Sequence, residues 1–336
     1  MTQGPFYRNH LVRDAIGHAL YDQMKLDPSI HLFGEGAEIK MHYDAPQIER
    51  EMPNRVHTLP ISEEGNVNFV VGASLVGIKP VYDVITADFL YRAFDAIANT
   101  AAKLKLFTQG ESVTRVLPLG DVILEEGNCI VIRAEFLVGG PTTGQRPEAL
   151  FTHIPGISVA IPSTPRDAYG LMKTALSWPG VTLFFEDRMI IDSEIKPQDE
   201  ELPLNQDRLP FGVANIRRAD PNPRLTIITY GLMRQRVEAI LEQDMAVELI
   251  DLRTLYPIDW GNIADSLNHT NRLLIIEPDI TYAGVGAEIV ATIAEQMPDV
   301  RVKRLGAKRS TIPAATSMHR HLWPTDEEIF GAITKW

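Results

Sequence analysis

Short apolar runs alternate with segments of helical spacing along the first two thirds of the chain, and this alternation predicts the fold. Runs of four to eight apolar residues are typical of buried strands, whereas apolar residues at intervals of three and four indicate helices. The predicted strands are Ile30–Phe33, Val81–Ile85, Ile130–Ala134, Ile157–Ile161 and Val181–Glu186. The predicted helices are 9–27, Asn66–Leu75, Asp88–Leu106 and Arg166–Leu176. Strand alternating with helix implies a mostly parallel sheet covered on both faces.

The same rhythm restarts after a polar interruption. The stretch Ile195–Pro210 is rich in proline and charge and indicates a linker. The strands predicted after it are Leu225–Thr229, Val247–Leu252 and Leu273–Glu277, and the helices are Met233–Gln243 and Val285–Gln296. We therefore expect an α/β protein of two doubly wound domains, over residues 1–195 and 216–336, with the linker at 196–215.

Composition narrows the class of function. The net charge of -12 without a lysine or arginine run argues against nucleic acid or an anionic membrane as the main partner. No apolar run approaches the ~20 residues of a membrane span, and the N-terminus lacks the pattern of a secretion signal. The single cysteine, Cys129, fits a reducing cytoplasm. We expect a soluble cytoplasmic protein.

The acidic pair Glu63-Glu64 is the first candidate for chemistry. It stands between a proline-closed turn and a run of small and apolar residues, so at least one carboxylate is expected to be partly buried. A partly buried carboxylate needs a partner or has a raised pKa, as a working acid or base does. The alternative is that the pair only provides first-turn acids for the following helix.

Motifs in order along nearly the whole chain decide between these interpretations. They include Pro60-Ile61-Ser62-Glu63, Val71-Gly72-Ala73, Ala87-Asp88-Phe89, Ala93-Phe94-Asp95, His153-Ile154-Pro155-Gly156, Phe184-Phe185-Glu186, Thr229-Tyr230-Gly231, Ile250-Asp251-Leu252-Arg253-Thr254 and Gly286-Ala287-Glu288-Ile289. With them the chain resembles the beta subunit of the thiamine diphosphate-dependent first component (E1) of 2-oxoacid dehydrogenase complexes, of the pyruvate or branched-chain type. The resemblance implies a transketolase-like pyrimidine-binding domain followed by a transketolase C-terminal-type domain.

The resemblance also assigns residues. Glu63 matches the glutamate that hydrogen-bonds a ring nitrogen of the aminopyrimidine and so activates the cofactor. Phe89 and Tyr91 fall near the positions that stack on this ring, although Phe89 is equally suited to a place in the core. Glu35 matches an acidic turn at a strand end and is either a cofactor-binding residue or a turn-stabilising acid. Glu64 falls at a variable position.

The other half of the cofactor site is missing from this chain. Families of this type hold magnesium and the diphosphate with a Gly-Asp-Gly start and a later Asn, and Gly120-Asp121-Val122 lacks the second glycine. The resemblance therefore implies an alpha-type partner that brings magnesium and the diphosphate grip, in an assembly of two alpha and two beta chains. The expected substrate is a 2-oxo acid or ketose, and the expected acceptor is the lipoyl group of an acyltransferase.

The sequence departs from the family pattern at three places, and these bear on which reaction the protein catalyses. The family's His-Ser-Gln-Ser run reads Thr143-Gly144-Gln145-Arg146, and threonine cannot replace imidazole as a proton shuttle near neutral pH. Arg146 is a candidate for binding a substrate anion, or it pairs with Glu148. His57 stands where the family has an aromatic residue, and we take it as a hypothetical source of the missing imidazole. The stretch Gly110–Glu126 is longer than usual, so no potassium site is inferred.

Three functions stay open. The first is the dehydrogenase reaction. The second is a thiamine diphosphate-dependent transketolase-like transferase or carboligase that passes its acyl or ketol unit to an aldehyde, a sugar or a carrier-protein thiol. The third is a non-catalytic interaction subunit, which the presence of Glu63 disfavours. The fragment Gly284-Val285-Gly286 is only half of a dinucleotide fingerprint and more simply opens a helix against a sheet. No His or Cys pair has zinc-site spacing.

Overall fold

The computed structural model describes residues 11–36, 46–104, 115–116, 122–123, 128–137, 142–191, 208–218, 221–241, 245–319 and 321–336. Most of the predicted linker and most of the stretch Gly110–Glu126 lie outside these residues, as does the predicted start of the first helix. Within the described part of the chain, no helix is both long and apolar enough to cross a membrane.

A seven-stranded sheet organises the first half of the chain. Its strands are β1 (Ile30–Gly34), β2 (Val56–Thr58), β3 (Lys79–Thr86), β6 (Cys129–Phe136), β7 (Ile157–Ala160), β8 (Gly180–Asp187) and β12 (Thr254–Tyr256). Their order is β12-β7-β8-β6-β3-β1-β2, and every pair is parallel except β12 with β7. A separate antiparallel pair joins β4 (Arg115–Val116) to β5 (Val122–Ile123).

Helices cover both faces of this sheet. They are α1 (Val12–Leu26), α2 (Pro46–Glu51), α3 (Glu63–Leu75), α4 (Glu148–Thr152) and α5 (Pro165–Ala175). Successive strand residues point to opposite faces, so Leu32 packs with the residues of α1 and α5 whereas Phe33 packs with those of α3. The strands are largely apolar because both of their faces are buried.

A five-stranded sheet organises the second half. Its strands are β9 (Asn215–Arg218), β10 (Leu225–Thr229), β11 (Val247–Asp251), β13 (Arg272–Ile280) and β14 (Arg301–Ala307), in the order β14-β13-β10-β11-β9 with only β9 antiparallel. Its helices are α6 (Gly231–Ile240), α7 (Trp260–Thr270), α8 (Val285–Gln296), α9 (Thr316–His319) and α10 (Asp326–Thr334). The predicted pair of doubly wound α/β units is confirmed.

The predicted helix Asp88–Leu106 is wrong as a single element. Residues 87–91 form a short 3-10 helix and residues 96–101 a π-helix. Asp88 does not cap a helix, because its carboxylate accepts hydrogen bonds from the backbone of Gly144 and Gln145. These contacts with a distant loop hold the first turn tight, which a helical periodicity of apolar residues does not reveal.

Candidate functional site

The predicted site residues lie where three neighbouring strands of the first sheet end. Glu35 follows β1, Glu63 follows β2 by way of a short turn, and Phe89 follows β3. These strands are parallel and adjacent, so their carboxyl ends meet at one edge. Ligands of open α/β sheets bind outside this edge.

Glu63 is the first residue of α3 and is half-buried there. Its carboxylate forms no hydrogen bond or ion pair with the described part of the chain. Glu64 is exposed. Of the acidic pair, Glu63 is thus the member that is partly desolvated and still able to accept a hydrogen bond from a ligand.

Glu35 fixes the start of α3. Its Oε1 atom accepts a hydrogen bond from the backbone N–H of Ser62 at 3.0 Å and one from Asn66 Nδ2 at 2.9 Å. The Tyr82 hydroxyl donates to the same oxygen at 3.3 Å. Asn66 also donates to the Pro60 carbonyl at 2.9 Å, so the turn before Glu63 is held at both ends. The turn-stabilising role predicted as an alternative for Glu35 is observed, while direct cofactor binding stays a prediction.

Strained backbone lies beside this turn, at the end of β3. Ile85 has a φ of 69° although it is β-branched, and its side chain is 40% exposed. Its backbone N–H donates to Asp83 Oδ1 at 2.8 Å, which compensates part of the strain. Residues held in such conformations concentrate at ligand-binding sites, so Ile85 and Asp83 join the candidate site although the sequence pattern did not single them out.

A buried ion pair lies next to Asp83, near the end of β3. Arg133 on β6 donates from Nε to Glu186 Oε1 at 2.6 Å and from Nη2 to Oε2 at 3.0 Å. Its Nη1 lies 3.9 Å from Asp83 Oδ2. All three side chains are buried. The bidentate geometry fixes the orientation of both partners, so the carboxylate that holds the Ile85 backbone is itself positioned by an arginine.

The predicted stacking residues lie on the 3-10 turn after β3. Phe89 is half-buried and packs against the main core, as its alternative interpretation expects, while Tyr91 is 44% exposed. Burial of the phenol, with the neighbouring Asp88 carboxylate, raises the pKa of Tyr91 to about 12. Tyr91 is therefore a neutral aromatic at every physiological pH.

The loop that replaces the His-Ser-Gln-Ser run is hydrogen-bonded to Asp88, which lies on the same 3-10 segment as Phe89 and Tyr91. Gly144 N–H donates to Asp88 Oδ2 at 2.8 Å and Gln145 N–H to Asp88 Oδ1 at 3.2 Å. Gly144 has a φ of 106°, and a Cβ there would lie 3.1 Å from the Leu137 carbonyl oxygen and from Ile312 Cγ2. Only glycine suits this position. Asp88, missed as a site residue, thus joins the loop to the segment of Phe89.

Arg146 at the end of this loop is enclosed. Its Nε donates to Glu148 at 2.9 Å and its Nη1 to Asp187 at 2.9 Å, and the guanidinium carbon lies 3.8 Å from the Phe136 ring centroid. Its side chain is 6% exposed, and its Nη2 has no hydrogen-bond partner. The pairing with Glu148 is confirmed, and a role of Arg146 in substrate binding stays a prediction.

His57 lies on the edge strand β2 inside a row of rings. Its Nε2 lies 3.0 Å from Nδ1 of His31, and its ring stacks on Phe33 at 4.8 Å between centroids. Burial, followed by the neighbouring His57, lowers the pKa of His31. One nitrogen of His57 is thus already used within the protein, and the catalytic role suggested for His57 stays a prediction.

The glycines of 284–286 enclose a buried carboxylate instead of a phosphate site. Glu277 Oε2 accepts from the Gly286 N–H at 3.0 Å, so a carboxylate already occupies the start of α8. A Cβ on Gly284 would lie 2.5 Å from the Ile280 carbonyl oxygen, and one on Gly286 would lie 2.7 Å from Glu277 Oε1. The tight packing of a helix start against the sheet is therefore the role of these glycines.

No group of three or more His, Cys, Asp or Glu side chains in the described ranges is arranged to hold a metal ion.

Comparison with known proteins identifies the family. Residues 10–109 match the model of the transketolase pyrimidine binding domain, and residues 212–329 match that of the transketolase C-terminal domain. The chain is 29% identical to the pyruvate dehydrogenase E1 component subunit beta of Rickettsia felis, over 96% of this chain and 97% of that protein. It is 32% identical to the 2-oxoisovalerate dehydrogenase subunit beta 2 of Arabidopsis thaliana, over 84% of this chain and 76% of that protein.

A solved structure shares the fold at lower identity. A split-gene transketolase, described as an inactive beta4 tetramer, superimposes with a TM-score of 0.77 at 19% identity, over 97% of this chain and 98% of that one. The order of the motifs, the exposed edge with Glu63 and the full-length matches agree, and the chain belongs to the family of E1 beta subunits of the 2-oxoacid dehydrogenases, within the transketolase-like enzymes.

Proposed function

We propose that this chain is the beta subunit of a thiamine diphosphate-dependent enzyme that decarboxylates a 2-oxo acid and transfers the acyl unit. The single observation that carries the proposal is the Glu63 carboxylate, which is half-buried at the start of α3 and has no partner within the described chain. The activity belongs to an assembly, because the residues that hold the diphosphate are not found in this sequence.

The described residues fit the pyrimidine half of the cofactor. Glu63 offers a carboxyl group that can share a proton with a ring nitrogen, and a charged hydrogen bond is strong where water is excluded. Tyr91 and Phe89 offer aromatic surfaces on the turn that follows β3, at the same edge of the sheet. When bound, thiamine diphosphate supplies the carbon nucleophile that attacks the 2-oxo group. Glu63 would hold the ring through the proton shared with its nitrogen, and Glu35, Ser62 and Asn66 keep Glu63 in place.

The exposed face of α3 supports the expected alpha-type partner. Val67, Val70 and Val71 bury one side of this helix in the core. The opposite side presents Phe69 at 53% exposure and Val76 just beyond the helix at 77%, and a Cβ at Gly72 between them would meet nothing within 4 Å. An apolar surface that begins directly after the key carboxylate suits a second subunit that completes the site. We propose that this partner brings magnesium and the diphosphate grip, in an assembly of two alpha and two beta chains.

The acceptor of the acyl unit defines the second candidate function. The loop beside Phe89 contains Thr143, Gly144 and Gln145 and no imidazole, and Asp88 holds its backbone. Neutral side chains there suit transfer to a sugar, an aldehyde or a carrier-protein thiol as well as to lipoamide. This observation keeps a transketolase-like transferase or carboligase as the alternative to the dehydrogenase.

The test uses the chain co-purified with its partner subunit. Glu63→Gln keeps the shape of the side chain and removes its charge, and we expect at least a ~100-fold fall in 2-oxo acid-dependent reduction of dichlorophenolindophenol. Glu64→Gln, one residue away and exposed, is the matched control and should keep full activity. Unchanged activity in Glu63→Gln would show that this chain only stabilises its partner. Lipoamide reduction compared with condensation products then separates the two catalytic candidates.

A further inference from the structure

A bulge near the end of β3 redirects one side chain. The pairing of β3 with β6 joins Asp83 to Arg133 and then Thr86 to Glu135, so three steps along β3 match two along β6. One residue of β3 is therefore extra between these pairs, and Ile85 there has a left-handed φ of 69°. Its side chain is exposed in a strand whose other residues are buried or half-buried. Bulges are frequent next to active sites, where they re-aim a side chain.

Buried charged residues hold this bulge. A β-branched residue avoids a positive φ for steric reasons, so the conformation of Ile85 needs support. Asp83 Oδ1 accepts a hydrogen bond from the Ile85 N–H at 2.8 Å, and Asp83 Oδ2 lies 3.9 Å from Arg133 Nη1. Arg133 is itself fixed by its two hydrogen bonds to Glu186. Strained backbone persists only where its surroundings hold it, and it concentrates at ligand-binding sites.

Ile85 lies at the edge of the sheet where the candidate site is found. Gly34 pairs with Asp83 across β1 and β3, so Glu35 leaves β1 one residue after this pair and Ile85 lies two residues after it. Between residues 80 and 91 the exposed side chains are those of Ile85, at 40%, and Tyr91, at 44%. The surface that this segment offers to a ligand is therefore one aliphatic and one aromatic side chain.

An aliphatic side chain recognises an apolar group of the substrate. The alkyl group of a 2-oxo acid gains free energy when it is buried against isoleucine, whereas the hydroxyl groups of a ketose would lose hydrogen bonds there. We infer that Ile85 contacts the alkyl group of the 2-oxo acid and sets the size that is accepted. Asp83 acts through Ile85 and is a positioning residue. The inference rests on the proposed function and narrows its donor substrate to 2-oxo acids with an apolar side chain.

The experiment measures substrate selectivity in the co-purified complex. The probes are pyruvate, 2-oxobutyrate and 2-oxoisovalerate, and dichlorophenolindophenol reduction gives kcat/KM for each. Ile85→Ala opens space beside the alkyl group, so we expect the ratio of kcat/KM for 2-oxoisovalerate to that for pyruvate to rise about tenfold or more. Ile85→Val removes a single methyl group and should give a smaller rise. Leu26→Ala, at a 78% exposed position before the start of β1, is the matched control and should keep the ratio.

A second pair of variants tests the positioning role of Asp83. Asp83→Ala and Asp83→Asn both remove the charge beside Arg133, but only asparagine retains an oxygen that can accept from the Ile85 N–H. We expect the selectivity ratio to change about tenfold in Asp83→Ala and to stay within about twofold in Asp83→Asn. A purely structural role of Asp83 would instead lower kcat/KM for all three acids and leave their ratio unchanged.

Other outcomes overturn the inference. An unchanged ratio in active Ile85→Ala and Ile85→Val complexes would show that Ile85 does not contact the alkyl group. Loss of co-purification in both variants, with the ratio intact, would place Ile85 under the partner subunit instead. Faster turnover of fructose 6-phosphate than of all three acids would assign the donor to the ketoses. An unmodified complex that reduces the dye with none of the acids contradicts the proposed function itself, so the two failures are distinguishable.

Discussion

The Glu35 carboxylate accepts a hydrogen bond from the backbone N–H of Ser62, the residue directly before Glu63. One acid thereby fixes the position of the other, through a turn rather than through a side-chain contact. Asn66 and Tyr82 donate to the same oxygen. The relationship makes Glu35 a positioning residue for the carboxylate on which the proposed chemistry depends.

Replacement of Glu35 tests this relationship. Glu35→Ala removes the acceptor of the Ser62 N–H and of the Tyr82 hydroxyl and leaves Asn66 with the Pro60 carbonyl and a long contact to Tyr82, so we expect a loss of about 1–3 kcal/mol in the free energy of unfolding. The affinity of the complex for thiamine diphosphate should fall as well. Urea denaturation and a cofactor titration measure the two effects, with the exposed Glu64→Ala as control. Full cofactor affinity in Glu35→Ala would contradict the positioning role.

His57→Phe separates packing from proton transfer. Phenylalanine retains the ring stacked on Phe33 and removes the nitrogen that contacts His31. Because that nitrogen is used within the protein, we expect turnover within about twofold of the unmodified complex and a stability change under about 1 kcal/mol. A large fall in kcat with unchanged stability would instead establish His57 as the source of the missing imidazole.

The buried pair Arg133–Glu186 predicts strong non-additivity. Arg133→Met removes the bidentate partner of the buried Glu186 carboxylate, and breaking such a pair costs about 3–5 kcal/mol. Arg133→Met/Glu186→Met removes both charges of the pair and should recover part of this loss, since Asp83 still loses its arginine. A double-mutant cycle by chemical denaturation measures the coupling. Additive effects of the two substitutions would show that the pair is energetically independent.

A pH-dependent stability follows from the carboxylates between the two sheets. Burial, followed by the Glu148 carboxylate, raises the pKa of Asp279 from 3.8 to about 8, and burial raises that of Glu277 from 4.5 to about 7. The folded chain therefore holds protons that the unfolded chain releases. The stability contributed by these protons is fully present below the unfolded pKa values, declines as the pH rises and is lost above the folded ones.

Asp279→Asn checks the sign of this effect. The free energy of unfolding of the unmodified chain should fall between pH 5 and pH 8, and the variant should show a shallower fall, by up to about 1.4 kcal/mol per pH unit. Guanidinium denaturation at four pH values gives the slope. Asp251, with a pKa raised to about 7 by burial and by Asp167, contributes to the remaining slope. A stability that rises over this range would contradict the prediction.

Gly72→Leu addresses assembly without touching the core. A side chain at this position points into open space on the exposed face of α3, so the isolated chain should fold with a stability change under about 1 kcal/mol. A leucine obstructs close approach of a second subunit, and we expect loss of co-purification with the alpha-type partner. Gel filtration of the mixed subunits measures it. An intact complex with Gly72→Leu would place the partner on another surface.

The periodicity of apolar residues predicts most of the fold because buried parallel strands leave a strong signal. Val81–Ile85 and Ile130–Ala134 were predicted within a few residues of β3 and β6. The short edge strands β2, β9 and β12 were not predicted, since three or four residues carry little periodicity, and the longer edge strand β14 was not predicted because its exposed residues are basic. A strand that is defined only by its hydrogen bonds to a neighbouring strand cannot be predicted from the local pattern of apolar residues.

The site was predicted unevenly for a similar reason. Glu63 follows from its position before an apolar helix and from the motif Pro60-Ile61-Ser62-Glu63. The contacts of Glu35 with Asn66 and of Asp88 with Gly144 join residues 31 and 56 positions apart, so no local sequence pattern predicts them. The enclosure of Arg146 depends likewise on Asp187, which only the tertiary fold brings close.

The strand β12 has a consequence for dissecting the protein. It belongs by sequence to the second half, yet it forms the outer edge of the first sheet through its pairing with β7. A gene fragment that stops near residue 215 would encode a sheet with a bare margin at β7, which invites self-association. Independent expression of the two halves is therefore expected to yield aggregates, and soluble material should require that both pieces be produced in the same cell.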